Sequence, residues 1–151
     1  MISIYPPEKK IILCIDDDPT ILRYEKALLE RSGYSVFTAS SAPQALRLAT
    51  MCKCDAVILD YEMPGMNGQD LATEIRRTRP EQVVIMLSGS EVPTQALALV
   101  DAFVPKLEAS RQLLPMIAEL CSRSQDARQR QERVQQEDQR KQLPGPSPFE
   151  L

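Results

Sequence analysis

The sequence predicts an α/β protein: a doubly wound, five-stranded parallel sheet with helices on both faces. Three observations predict it. Five short apolar runs recur at residues 11–15, 34–39, 56–59, 83–87 and 102–104. Four of them are nearly continuous and rich in Val and Ile, as strands buried on both faces are. Longer amphipathic stretches separate the runs, so that right-handed crossovers lay helices over both sides of the sheet.

Each helix carries its own signal. Asp18 caps the first, Pro19 takes its first position and Gly33 closes it. Ile21, Tyr24, Leu28 and Leu29 fall on one face of that segment. Residues 43–51, 68–78 and 110–120 also have helical periodicity. Only residues 91–101, with Pro93 among them, separate the fourth and fifth strands, so the fourth helix is short, about two turns. Pro115 lies inside the last helix and moves its expected start later.

Beyond residue 121 the composition changes. Residues 122–141 hold six Lys+Arg, four Asp+Glu and six Gln, with Ala127 and Val134 as the only aliphatic side chains. Three prolines in residues 142–151 argue against a helix there. The expected organisation is one domain over residues 9–121 and a polar extension over 122–151, solvated and helical before fading into disorder, with no output domain. Leu113, Leu120, Ala127 and Val134 are spaced by seven, but Ser124, Gln131 and Asp138 spoil the second column of a heptad, leaving at most a weak dimer.

Composition removes several function classes. The chain has 151 residues, 18 Lys+Arg, 21 Asp+Glu and no His. Without His there is no His-ligated zinc, no Ser-His or Cys-His catalysis and no phosphohistidine on this chain. A pI of about 5.1 gives no support for a general nucleic-acid surface. No apolar run approaches the roughly 18 residues of a membrane span. Residues 1–10 lack the apolar core of a secretory signal. Cys52 and Cys54 do not have zinc-site spacing. Reduced thiols in a cytoplasmic protein are therefore expected for Cys14, Cys52, Cys54 and Cys121.

In a doubly wound sheet chemistry gathers beyond the carboxyl ends of the strands. Asp16 and Asp17 follow the first strand, Asp60 the third and Ser88 the fourth; the fifth leads through Pro105 to Lys106. Asp16 and Asp17 alone would also suit a helix cap; their company points to a site. Three ionised carboxylates cannot share a site without compensation, and a divalent cation supplies it. Hard oxygen ligands suit Mg²⁺, which binds through one or two carboxylates plus phosphate. Lys106 adds a second positive point, and Ser88 can donate to an oxyanion. Such a set holds a phosphoryl group, with a carboxylate as its possible acceptor. Met63, Met66 and Met86 read as packing residues. Residues 63–68 read as a turn in which Gly68 permits close backbone approach.

Four segments carry a family resemblance: Ile-Leu-Cys-Ile-Asp16-Asp17-Asp-Pro, Ala-Val-Ile-Leu-Asp60-Tyr-Glu-Met-Pro-Gly-Met-Asn-Gly68, Val-Ile-Met-Leu-Ser88-Gly-Ser and Asp-Ala-Phe103-Val-Pro-Lys106. With these the chain resembles the CheY-like response-regulator receiver domains of two-component signalling, over about residues 9–121. The resemblance implies the flavodoxin-like strand order 2-1-3-4-5. It implies that Asp60 accepts a phosphoryl group from the phosphohistidine of a sensor histidine kinase or phosphotransfer protein. Asp16, Asp17, Asp60 and the backbone carbonyl of Glu62 would hold Mg²⁺. Ser88 would bind the phosphoryl oxygen, Lys106 would pair with it, and Phe103 would be the aromatic switch that turns inward. The output would be a population shift read by a downstream protein, without DNA or membrane contact and without enzymatic turnover. Leu107 stands where the family usually has Pro, and the short fourth helix departs from a common output surface.

Two other readings have sequence support. Asp16-Asp17-Asp18-Pro19-Thr20 contains the Asp-x-Asp-x-Thr of haloacid-dehalogenase phosphohydrolases, with Asp16 as nucleophile and Asp18 as acid/base. That reading leaves Asp60 unexplained and finds its later acidic pair only at Glu137-Asp138, in the polar extension. A receiver that signals by binding alone would be marked by a lost acceptor or lysine, and both are present.

Overall fold

The structure is a computed structural model and describes residues 4, 8–65, 67–146 and 148–149. Met66, expected to pack, lies outside the described residues. The chain runs β1 (Ile11–Ile15), α1 (Pro19–Arg31), β2 (Ser35–Ala39), α2 (Ala42–Met51), β3 (Ala56–Asp60), α3 (Gly68–Thr78), β4 (Val84–Ser88), α4 (Thr94–Leu97) and β5 (Ala102–Pro105). A single 3₁₀ turn, Lys106–Glu108, leads into α5 (Ala109–Gln142). All strand pairs are parallel, in the order β2-β1-β3-β4-β5.

Local chemistry sets the boundaries. The Asp18 carboxylate accepts the Thr20 N–H at 2.8 Å, with Pro19 at the start of α1. Gly33 turns the chain with φ +94°, in the left-handed region that favours glycine. Ser41 caps α2, and Asn67 caps α3 by accepting the Asp70 N–H at 2.9 Å.

Alternate side chains of each central strand enter two separate cores, which explains their continuous apolar character. Leu13, Ile15, Val57, Leu59, Val84 and Met86 pack in the layer with α2 and α3. Ile12, Cys14, Ile58, Ile85 and Leu87 pack in the layer with α1 and α5. Met63 and Met86 are both buried.

Three elements differ from the sequence reading. In α1 the buried stripe is Leu22, Glu25 and Leu29, and Tyr24 is half exposed. In α5 the start is not delayed by Pro115. Arg111 and Pro115 both lie on the exposed face, where losing one backbone hydrogen bond to Pro115 costs least. The same helix continues to Gln142, without Gly or a further Pro and rich in Gln, Arg and Glu, all good helix formers. The fourth helix is shorter than two turns, a single turn at Thr94–Leu97. Its connection is held by Arg76 of α3, which donates to the Leu99 carbonyl at 2.9 Å and pairs with Asp101 at 2.7 Å.

Candidate functional site

Strand ends position the site. Asp16 and Asp17 lie in the loop after β1, Asp60 is the last residue of β3, Ser88 the last of β4, and Lys106 opens the 3₁₀ turn after β5. The fold brings these distant positions together. One carboxylate oxygen each from Asp16, Asp17 and Asp60 lies within 4.8 Å of the others. The Lys106 ammonium sits 3.3 Å from Asp16 Oδ2 and 3.2 Å from Asp60 Oδ1. Asp16 and Asp60 are buried, whereas Asp17 is exposed.

Backbone N–H groups orient the two buried acids. Asp16 Oδ1 accepts from Asp18 N at 2.9 Å, and Asp60 Oδ1 accepts from Glu62 N at 3.2 Å. Asp16 Oδ2 has no hydrogen-bond partner despite the nearby ammonium. Burial, then the charge of Asp16, push the Asp60 carboxyl up to about 6, partly offset by the Glu62 N–H and Lys106. Burial works against the charge on Lys106, but the Asp16 and Asp60 carboxylates outweigh it and hold its pKa above the usual lysine value. The converging oxygens, with Asp16 Oδ2 held only by its ion pair to Lys106, are a donor set that fits a hard divalent cation such as Mg²⁺.

The second rim of the site is made of hydroxyls. Ser88 is buried, and its Oγ accepts the Ser90 N–H at 3.1 Å. Ser90 Oγ in turn donates to the Glu62 carboxylate. Gly68 meets the expectation of close approach. A Cβ there would lie 2.6 Å from Tyr61 Cα and 2.9 Å from the Asp60 carbonyl oxygen, so a side chain would push α3 off the end of β3. Phe103 is half-buried and lines a groove of about 590 Å³ together with Ser88, Val92, Leu97 and Pro105. The ring and the Ser88 hydroxyl therefore share one depression. Leu107, beside Lys106, is 95% exposed.

The sequence reading missed Glu25. It is 2% exposed on the core face of α1, near the buried Cys14, and leaves one carboxyl oxygen without a hydrogen-bond partner. Burial first, and the charge of Asp16 next, push its pKa up to about 8. Its place between Leu22 and Leu29, at i+3 and i+7 spacing, is the signal that marks it as an inward residue.

The phosphohydrolase reading lacks its second acidic pair. Asp18 is occupied as an exposed cap, while Glu137 and Asp138 lie exposed on α5, beyond its last buried residue, Cys121.

The parallel 2-1-3-4-5 sheet with an acidic cluster at its carboxyl edge defines the class as a flavodoxin-like α/β fold of the CheY type. The family described as the response regulator receiver domain matches residues 12–118, and this chain belongs to it. The chain is 29% identical to a CheY-like receiver domain protein from Methanospirillum hungatei, with a TM-score of 0.75 over 80% of this chain and 99% of that one. It is 32% identical to the response regulator TrrA of Thermotoga maritima, solved in complex with Mg²⁺-BeF, with a TM-score of 0.70 over 74% and 98% of the two chains. Among curated relatives it is 34% identical over 82 residues to the alkaline phosphatase synthesis transcriptional regulatory protein PhoP of Bacillus subtilis, covering 54% of this chain and 34% of PhoP. It is 40% identical over 78 residues to the transcriptional regulatory protein GlrR of Escherichia coli, covering 52% of this chain and 18% of GlrR. The chain thus spans well under half of these two regulators. No described helix is long and apolar enough to cross a membrane.

Proposed function

We propose that Asp60 accepts a phosphoryl group from a sensor histidine kinase or phosphotransfer protein, and that the phosphorylated chain signals to a protein target by a shift in conformation. The observation that carries this reading is the placement of Lys106 between Asp16 and Asp60, with Asp17 in reach of both carboxylates. Asp16, Asp17, Asp60 and the Glu62 backbone carbonyl are the groups to hold Mg²⁺, which when bound offsets charge on the transferring phosphoryl group. At neutral pH a carboxyl with a pKa of about 6 is mostly ionised, so Asp60 is competent to attack. Its oxygen attacks phosphorus in line, and the donor's P–N bond breaks as the acyl phosphate forms. Lys106 then turns its charge from the bare carboxylate to the phosphoryl oxygens. Ser88 donates its hydroxyl to the same group, and Phe103 swings into the groove they share. Removal of the phosphoryl group by water resets the chain, so its role is that of a switch. The TrrA structure with Mg²⁺-BeF supports the reading by likeness.

Incubation with Mg²⁺ and a small acyl phosphate, followed by intact-mass measurement, tests it. The expected result is one added phosphoryl group, lost on chelation of Mg²⁺ and in Asp60→Ala. An adduct that forms equally on Asp60→Ala would overturn the assignment. Multiple turnover of a phosphate ester that needs Asp16 but survives Asp60→Ala would establish the phosphohydrolase instead.

A further inference from the structure

At the opposite edge of the sheet, where α5 leaves the domain, lies a second concave site of about 260 Å³. Three separate parts of the chain build it: Lys10 just before β1, Asp55 just before β3, and Cys121, Ser124, Gln125 and Arg128 on α5. Two cations face one carboxylate. The carboxylate is already engaged, since Asp55 Oδ2 accepts the Ile11 N–H at 2.7 Å. The cations are not. Among the described residues neither the Lys10 ammonium nor the Arg128 guanidinium has an ion-pair or hydrogen-bond partner, although the side chains of Arg76, Arg77, Arg111 and Arg123 all pair with carboxylates. Both side chains line the cavity together with the buried Cys121, whose thiol donates to the Asp55 carbonyl at 3.8 Å. Ser124 and Gln125 add neutral donors from successive positions of α5. A concave surface with two free cations, net charge +1 and hydroxyl and amide donors is complementary to a compact oxyanion.

We propose that this cavity binds a small soluble oxyanion of the phosphate type, held between Lys10 of the domain and Arg128 of the projecting helix. The site is separate from the phospho-acceptor edge and needs no Mg²⁺. Because its cations come from the two sides of the joint, an occupant would tie α5 to the sheet where the helix loses its last buried contact.

The test is an NMR titration of the whole chain with inorganic phosphate, without Mg²⁺, at constant ionic strength kept with chloride. Saturable shifts of the Ile11, Cys121 and Gln125 amides are expected, with the Asp60 and Ser88 amides unmoved. Lys10→Gln and Arg128→Gln should each weaken the apparent affinity by about tenfold, the loss expected for one charge-assisted contact. Arg128→Lys should recover part of it, and Arg133→Gln, exposed on the same helix outside the cavity, should match the wild type. Both Gln variants replace surface side chains and leave the core intact. Shifts that do not saturate, or that are equal in all variants, would overturn the proposal. So would binding to phosphatidic acid vesicles by a chain that does not bind inorganic phosphate, because the recognised group would then be a membrane surface.

Discussion

The carboxyl edge of the sheet and the projecting half of α5 are both dense in charge, yet they use it in opposite ways. At the sheet edge Asp16, Asp60 and Glu25 are buried within reach of a single ammonium, that of Lys106. Each raises the pKa or fixes the position of another. In residues 122–142 the ten charged side chains are all exposed. Apart from Arg123, which pairs with Glu119, and Arg128, which lines the second cavity, they extend into solvent one by one, and among the described residues no carboxylate there has an ion-pair partner. Charge density alone therefore does not mark function; charge withdrawn from water does. A site that gathers buried negative charge fits a hard cation, whereas the helix beyond the second cavity carries its charge into solvent.

The largest effect should come from removing the one compensating cation. Lys106→Ala leaves Asp16 and Asp60 facing each other, and should lower stability at neutral pH by about 2–3 kcal/mol without Mg²⁺. That is less than for a fully buried pair, since the Lys106 side chain is 26% exposed. Urea unfolding measures it, and added Mg²⁺ should recover part of the loss. An unchanged midpoint would mean that the two carboxylates are already screened by solvent.

Next comes Glu25, whose effect depends on pH. Its folded-state pKa of about 8 lies above the ordinary value of 4.5, so the folded chain holds the proton where the unfolded chain has released it. Stability should therefore fall as pH rises from about 4.5 to about 8, by up to about 1.4 kcal/mol per unit. Asp60 acts with the same sign, but only between 3.8 and about 6. Between about pH 6 and 8 the decline belongs mainly to Glu25, and Glu25→Gln should flatten it. A variant that declines in parallel with the wild type would place the proton elsewhere.

On the projecting helix the effects should be small. Gln131→Gly should weaken the local helix by about 1 kcal/mol and reduce helical circular dichroism without moving the global unfolding midpoint. Arg123→Ala removes an exposed pair with Glu119 and should change stability by about 0.5 kcal/mol or less. A large shift in the midpoint from either change would show that this half of α5 is packed against something in solution.

The sheet and most of the site were legible in the sequence for one reason. Strands buried on both faces stand out as apolar runs, and reading what ends each run leads to Asp16, Asp17, Asp60, Ser88 and Lys106. The exact ends were less legible. Asp60 and Ser88 close β3 and β4 instead of following them, because the sheet hydrogen bonding continues through polar residues that composition reads as loop. Glu25 was hidden because a carboxylate on an amphipathic helix usually faces water, and its inward position depends on the exact rotation of α1. The helical extension of α5 was legible from composition, but its end at Gln142 was not, because hydrophobic periodicity fades where no face is buried, leaving only helix propensity to carry the signal.

The most direct test of the central claim is to locate the phosphoryl group. After treatment with Mg²⁺ and a small acyl phosphate, borohydride reduction converts an aspartyl phosphate to homoserine, and peptide mass spectrometry reads its position. Homoserine at position 60 alone is the predicted result. Homoserine at position 16 or 17, or an adduct that resists borohydride, would contradict the account.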